Sequence, residues 1–121
     1  MIFLDTCILI DYSKNKISIN NQDYCFNSIV QLEFTVGAIN KRELKKINKI
    51  LSEFKLIDTE QEILDLSVKL INKYSLSHNM TIYDSIIAAT CLIYDLALWT
   101  YNKKDFKYIE NLVLVDENTH D

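Results

Sequence analysis

TIYDSIIAATCLIYDLALWT, residues 81–100, contains a helix start, a buried helix and a strand in one continuous run. Thr81-Ile-Tyr-Asp84 has the form of a capping box, which serves backbone N–H groups that the first turn of a helix leaves open. The helix it opens is apolar on nearly all sides, through Ile86, Ile87, Ala88, Ala89, Cys91, Leu92 and Ile93, and is expected to be central and buried. Ala97-Leu98-Trp99-Thr100 then reads as a short strand.

The same alternation extends outward to both sides. Towards the N-terminus, Ile2-Phe3-Leu4 reads as a buried strand ending at Asp5, and Ile8, Leu9 and Tyr12 continue at helical spacing from Thr6. Lys14-Asn15-Lys16 and Asn20-Asn21 are polar and read as a loop, and Tyr24-Cys25-Phe26 as a second strand. Ser28-Ile-Val-Gln31 is another box pattern, opening a helix that stops at Gly37. Lys41 to Phe54 is amphipathic, with Leu44, Ile47, Ile50 and Leu51 on one stripe and Lys41, Arg42, Lys45, Lys46 and Lys49 largely off it. Lys55-Leu56-Ile57 is a third strand. Thr59-Glu-Gln-Glu62 is a further box, opening a helix with Ile63, Leu66, Leu70 and Ile71 inward and a loop at Ser77-His78-Asn79. Beyond residue 100, Lys103 to Tyr108 reads as a helical turn and Leu112 to Val115 as a last strand. Strands alternating with helices predict a three-layer α/β/α sandwich around a parallel sheet of four or five short strands, as a single domain over residues 1–121. In such a sheet, ligands collect at the carboxyl ends of the strands.

Composition agrees with one compact domain. Of 121 residues, 49% are hydrophobic and 25% charged, and with no Pro and one Gly the chain excludes collagen-like, linker-like and glycine-rich phosphate-loop designs. No apolar run reaches the roughly 18 to 20 residues of a membrane span, and Asp5 and Asp11 interrupt the N-terminal apolar segment where a signal peptide would be uniform. Three cysteines, Cys7, Cys25 and Cys91, are odd in number and too widely spaced for a zinc knuckle; reduced thiols in a cytoplasmic protein are expected. The net charge of −4 weighs against a nucleic-acid binder, which is usually basic. Four carboxylates taken up as metal ligands would, however, leave the remaining surface neutral. The question becomes where the acids lie.

Four of them sit in apolar surroundings. Asp5 ends the first strand, Glu33 lies mid-helix among Val30, Leu32, Phe34 and Val36, Asp84 opens the most apolar helix, and Asp105 follows the fourth strand. Taken singly, each has a plainer role: Asp5 as a helix cap, Asp84 as the third residue of its box, Glu33 as a solvated acid, Asp105 as a loop charge. Taken together, the topology gives Asp5 and Asp105 one sheet edge and lets Glu33 and Asp84 lean over it. Carboxylates gathered in a low-dielectric cleft repel one another, and a hard divalent cation relieves that repulsion. All-oxygen ligation selects Mg²⁺ or Mn²⁺, whose chemistry is the attack of water on a phosphoryl group.

These residues resemble the PIN-domain ribonucleases, and among them the VapC toxins of toxin–antitoxin pairs. The matching segments are Leu4-Asp5-Thr6, Ile29 to Ala38 with Glu33 and Gly37, Tyr83-Asp84 through Ile87-Ala88-Ala89-Thr90, and Thr100-Tyr-Asn102-Lys-Lys-Asp105-Phe106. The resemblance implies a Mg²⁺- or Mn²⁺-dependent endoribonuclease acting on structured RNA of the tRNA or rRNA class. It also implies a homodimer and neutralisation by a VapB-like antitoxin whose tail occupies the active-site groove. By position, Asp5, Glu33, Asp84 and Asp105 look like the acidic quartet that holds the metal. Thr6 and Asn102 look like the polar residues that hold water or neighbouring carboxylates, and Lys103, Lys104 and Tyr101 are expected beside RNA. The chain departs from the family at three places. Cys7 stands where Asn is frequent, Asp95 where Gly ends a helix, and Tyr101 where Arg is frequent.

Four rivals are weighed against this reading. A haloacid-dehalogenase-like phosphatase needs a second Asp two residues after the first, and position 7 is Cys. A PIN-like module that binds a partner without cutting, or an RNA-processing nuclease with no antitoxin, keeps the same fold. Nucleophilic chemistry of the Ser-His-Asp or Cys-His kind finds little support, the histidines being His78 in an expected loop and His120 in the tail.

Overall fold

The computed structural model describes residues 1–20 and 23–116; Asn21 of the expected loop and His120 lie outside the described residues. Strands β1 (Ile2–Leu4), β2 (Tyr24–Asn27), β3 (Lys55–Ile57) and β4 (Ala97–Trp99) form one parallel sheet in the order β3-β2-β1-β4. Helices α1 (Thr6–Ser13), α2 (Ser28–Val36), α3 (Lys41–Leu51), α4 (Gln61–His78) and α5 (Ile82–Tyr94) connect them. From β1 the chain steps one way to β2 and β3, then crosses back past β1 to β4. Right-handed crossovers therefore send α1, α2 and α3 to one face and α4 and α5 to the other. The strand order reverses between β1 and β4, which opens a crevice at the carboxyl ends of those two strands.

The core is the sheet and the apolar sides of the helices. Phe3, Leu4, Cys25 and Leu98 on the strands and Ile8, Leu9, Val30, Ile87, Ala88 and Ala89 on the helices are fully buried. Helix α5 is as central as its composition requires, and Thr81 accepts a hydrogen bond from the Asp84 N–H at 3.1 Å as its cap. Its last turn closes on Asp95 at φ 55°, the left-handed conformation that Asp tolerates better than most residues. No helix among the described residues is long and apolar enough to cross a membrane.

Several local expectations are corrected. The cap of α2 is Asn27, not Ser28: the buried Asn27 accepts from the Val30 N–H at 3.1 Å and donates through Nδ2 to Thr90 Oγ1 at 3.0 Å. One side chain thereby starts α2 and ties β2 to α5. Thr59 makes no capping box; Glu60 precedes the first turn of α4 with no side-chain cap bond. Ser77 and His78 are not loop but the end of α4, which packing along α5 carries further than local propensity suggests, to a left-handed Asn79 at φ 56°. Helix α3 ends at Leu51 rather than Phe54, because Glu53 and Phe54 N–H groups turn back onto Ile50 and Leu51 to enter β3. The last strand is reduced to one bridge, where Leu98 pairs with the 113–115 segment through two 2.8 Å hydrogen bonds.

Candidate active site

Register brings the first two site residues together. Leu4 pairs with Trp99, so Asp5 and Thr100 come level one step beyond the paired strands, and the Asp5 N–H donates to the Trp99 carbonyl at 3.1 Å. Asp5 is only 3% exposed, and both its carboxylate oxygens are held. Oδ1 accepts from the Thr6 N–H at 2.7 Å and from the Tyr83 hydroxyl at 2.8 Å. Oδ2 accepts from the Thr100 hydroxyl at 2.7 Å, and the Cys7 thiol approaches it at 3.8 Å. Three strong donors thus replace the water that burial takes from this carboxylate.

Those donors are themselves positioned. The Thr6 and Tyr83 hydroxyls are hydrogen-bonded to each other, linking the start of α1 to the first turn of α5. Burial and the neighbouring Asp5 charge push the Tyr83 phenol well above its ordinary range, which keeps it a donor. The Asn102 N–H donates to Thr100 Oγ1 at 3.0 Å, which leaves the Thr100 hydroxyl proton for Asp5. Asn102 thus reaches the network through its backbone, and its side chain is exposed. Burial raises the pKa of Cys7 and keeps its thiol neutral beside Asp5, so the position where Asn is frequent retains a weak donor.

Asp84, in the first turn of α5, is half-buried, and Asp105 is exposed at the end of the 3-10 turn Lys103–Asp105 that follows β4. Burial is the main cause that raises the Asp84 pKa; the charges of Asp105 and Asp5 push it the same way, while Thr81 pulls it down. Three of the four expected acids thus share one electrostatic neighbourhood at the switch between β1 and β4.

Glu33 is placed differently. It is exposed on α2, and its neighbours Leu32 (64% exposed) and Val36 (80%) point outward with it, so only Val30 and Phe34 turn to the core. It lines a groove of about 450 Å³ between α1, α2 and α3, with Ile10, Lys14, Arg42 and Lys46 on the same walls. None of the three aspartates lines that groove.

Lys103 is half-buried and Lys104 exposed, beside Asp105. The Tyr101 hydroxyl donates to Asp11 Oδ2 at 2.9 Å, holding its ring against α1. Tyr83 and Thr100 are the positioning residues that sequence reasoning passed over. Their signal was present, since each lies in a segment that contains one of the acids and each carries a hydroxyl able to donate to a carboxylate.

Carboxylates are hard oxygen donors, the donor set a divalent cation of the Mg²⁺ type takes. Among the described residues, no three acidic, histidine or cysteine side chains stand close enough as placed to clamp an ion. Asp5 is fixed, so closing such a site falls to the less buried Asp84 and Asp105.

Comparison with known proteins adds to this geometry. A family model of the PIN domain matches residues 2–112. A protein named Ribonuclease VapC from Rickettsia bellii is 31% identical over 123 residues, which covers 92% of this chain and 92% of the relative. Among solved structures, a toxin–antitoxin complex from Klebsiella pneumoniae contains a chain superposing with a TM-score of 0.77 at 29% identity, over 93% of this chain and 96% of that one. A DNA-bound VapBC from Salmonella typhimurium reaches a TM-score of 0.84 at 22% identity, over 96% and 98% of the two chains, a likeness of fold.

Proposed function

Because the chain belongs to the PIN-domain family, we propose that it is a metal-dependent endoribonuclease, the toxin of a toxin–antitoxin pair, which cuts structured RNA of the tRNA or rRNA class. The observation that carries this reading is the shared neighbourhood of Asp5, Asp84 and Asp105, in which burial and mutual charge oppose ionisation of Asp84. A Mg²⁺ or Mn²⁺ ion, when bound, supplies positive charge and lowers the pKa of water for attack on a phosphodiester.

The residues of the chain then have separate tasks. Asp5 is the fixed ligand, aimed by Thr6, Tyr83 and Thr100. Asp84 and Asp105 complete the ligand set from α5 and the 3-10 turn, and Lys103 and Lys104 offer charge to the RNA backbone next to Asp105. Glu33 joins the site only if its side chain reaches across from α2. Its exposure favours a second reading, in which the protein binds a partner without cutting.

We extend the proposal to partners. The similar chain from Klebsiella pneumoniae was solved in a toxin–antitoxin complex, which supports a VapB-like antitoxin here. The groove that holds Glu33 also carries Glu43, Lys14, Arg42 and Lys46 beside Ile10 and Phe34, and is suited to a peptide of mixed charge with apolar anchors. A homodimer belongs to the same reading.

The test is cleavage of purified tRNA and rRNA with Mg²⁺ or Mn²⁺, with EDTA, and by Asp5→Asn. Cleavage should require the ion and fall by about a hundredfold or more in the variant, the scale on which charge at a reacting centre matters. Cutting that persists in both EDTA and Asp5→Asn would refute the mechanism. Tight Mn²⁺ binding with no cleavage of either RNA would favour the binding module.

A further inference from the structure

At the tip of α4, next to the aspartates, is an aromatic assembly that the proposed mechanism does not use. His78 stacks on Tyr108 with ring centroids 4.0 Å apart and planes 13° from parallel. Tyr74 meets both rings edge-on, at 5.8 Å from His78 and 5.0 Å from Tyr108. Exposure rises outward through the three: Tyr74 is buried, Tyr108 half-buried and His78 exposed.

The assembly is braced. The Tyr74 hydroxyl accepts from the Glu110 N–H at 3.3 Å, and Lys73 pairs with Glu110 at 3.3 Å, fastening the segment that carries Tyr108 onto α4. Ser77 Oγ lies 2.7 Å from His78 Nδ1, which limits rotation of the imidazole. The left-handed Asn79 ends the helix directly after His78, so the ring sits at a helix tip. The location follows from the chain: Asp84 is in the first turn of the next helix, and Tyr108 follows Asp105 by one short turn. The charges of Asp84 and Asp105 reach Tyr108 and, after burial, raise its pKa.

We propose that His78, backed by Tyr108 and Tyr74, is a stacking platform for one unpaired nucleobase of the RNA, at the rim of the aspartate cluster. A flat, pre-oriented ring with its partner already stacked behind it costs little ordering when a base settles on it. Stacking accepts any base, so the platform selects for unpaired RNA rather than for a sequence. It would draw the scissile region of a loop towards the acids while the lysines hold the phosphates. The platform rests on the RNA-cleaving reading for its ligand, but binding can be measured without cleavage.

The probe is an RNA hairpin with 2-aminopurine in its loop, titrated in EDTA against wild type, His78→Ala and His78→Phe. Wild type should quench the probe, His78→Ala should bind about tenfold more weakly, and His78→Phe should keep most of the affinity. In cleavage assays the loss in His78→Ala should appear in KM and leave kcat near wild type. His78 is exposed but stacked on Tyr108, so His78→Ala should lower the unfolding temperature only slightly and His78→Phe should restore it. The proposal is overturned if His78→Ala binds the probe as wild type does, or if His78→Phe loses as much as His78→Ala. A wild type that cuts RNA while His78→Ala is unchanged sinks the platform and leaves the nuclease. A wild type whose binding depends on His78 but that cuts nothing sinks the nuclease and leaves the platform.

Discussion

Asp5 is the residue on which the site turns, because its carboxylate is buried and two of its three strong donors, the Tyr83 and Thr100 hydroxyls, are side chains that can be removed singly. Tyr83→Phe deletes one of the two donors to Oδ1 and the partner of the Thr6 hydroxyl. We expect a loss of about 1.5 kcal/mol in urea unfolding, the scale of a hydrogen bond to a charged group. Mn²⁺ affinity measured by calorimetry should fall about tenfold, as when the support of a ligating side chain is lost. Asp84 gives a prediction in pH. Its folded pKa is raised, so between the ordinary carboxylate value and that raised value the folded state holds more protons than the unfolded one. Its contribution to stability is therefore complete at low pH and is lost as the pH climbs through the raised value. The difference in urea midpoint between wild type and Asp84→Asn should accordingly drift against wild type across that window and level off above it. A constant difference from acid to neutral pH would show that burial and the neighbouring aspartates do not act on Asp84.

Among the elements, the junctions decide more than the spans. Asn27 caps α2 and holds Thr90 of α5, so Asn27→Ala removes a helix cap and leaves a buried hydroxyl with one partner fewer. About 2 kcal/mol should be lost on denaturation. Asp95 closes α5 at positive φ, where glycine has no Cβ penalty, and Asp95→Gly should gain about 0.5 to 1 kcal/mol with cleavage unchanged. The spans were legible from the sequence because their apolar periods are clear: α5 reads as buried from Ile86 to Ile93, and β1 as a strand up to Asp5. The junctions were not. Ser28 and Thr59 match the capping-box pattern as well as Thr81 does, yet only Thr81 caps, since a side chain serves a helix only where the incoming chain aims it at the open N–H groups. The end of α4 was hidden for another reason: Ser77, His78 and Asn79 look like a loop, and only contact with α5 and Tyr108 makes two of them helix.

For the whole molecule, the order of elements was enough to yield the parallel sheet, and the sheet was enough to bring Asp5, Asp84 and Asp105 to one edge. It did not place Glu33, because apolar neighbours in sequence indicate a buried acid only when they share its helix face. Leu32 and Val36 are exposed with it. Ile39, just beyond α2, is 82% exposed and extends this apolar surface, which the proposed homodimer would cover. Sedimentation at micromolar concentration should give twice the 14.2 kDa chain mass, and a monomer there would rule out the homodimer.

The pairing of residues 2–4 with residues 97–99 has a consequence for synthesis. Asp5 leaves the ribosome ahead of its partners: Thr100 and the second and third aspartates of the cluster emerge some eighty to a hundred residues after it. At about 5 to 20 residues per second, translation separates them by roughly 5 to 20 seconds. Throughout that interval the nascent chain carries Asp5 without Tyr83 or Thr100 to hold it and without the aspartates beside it, and so lacks the cluster on which the proposed cleavage depends.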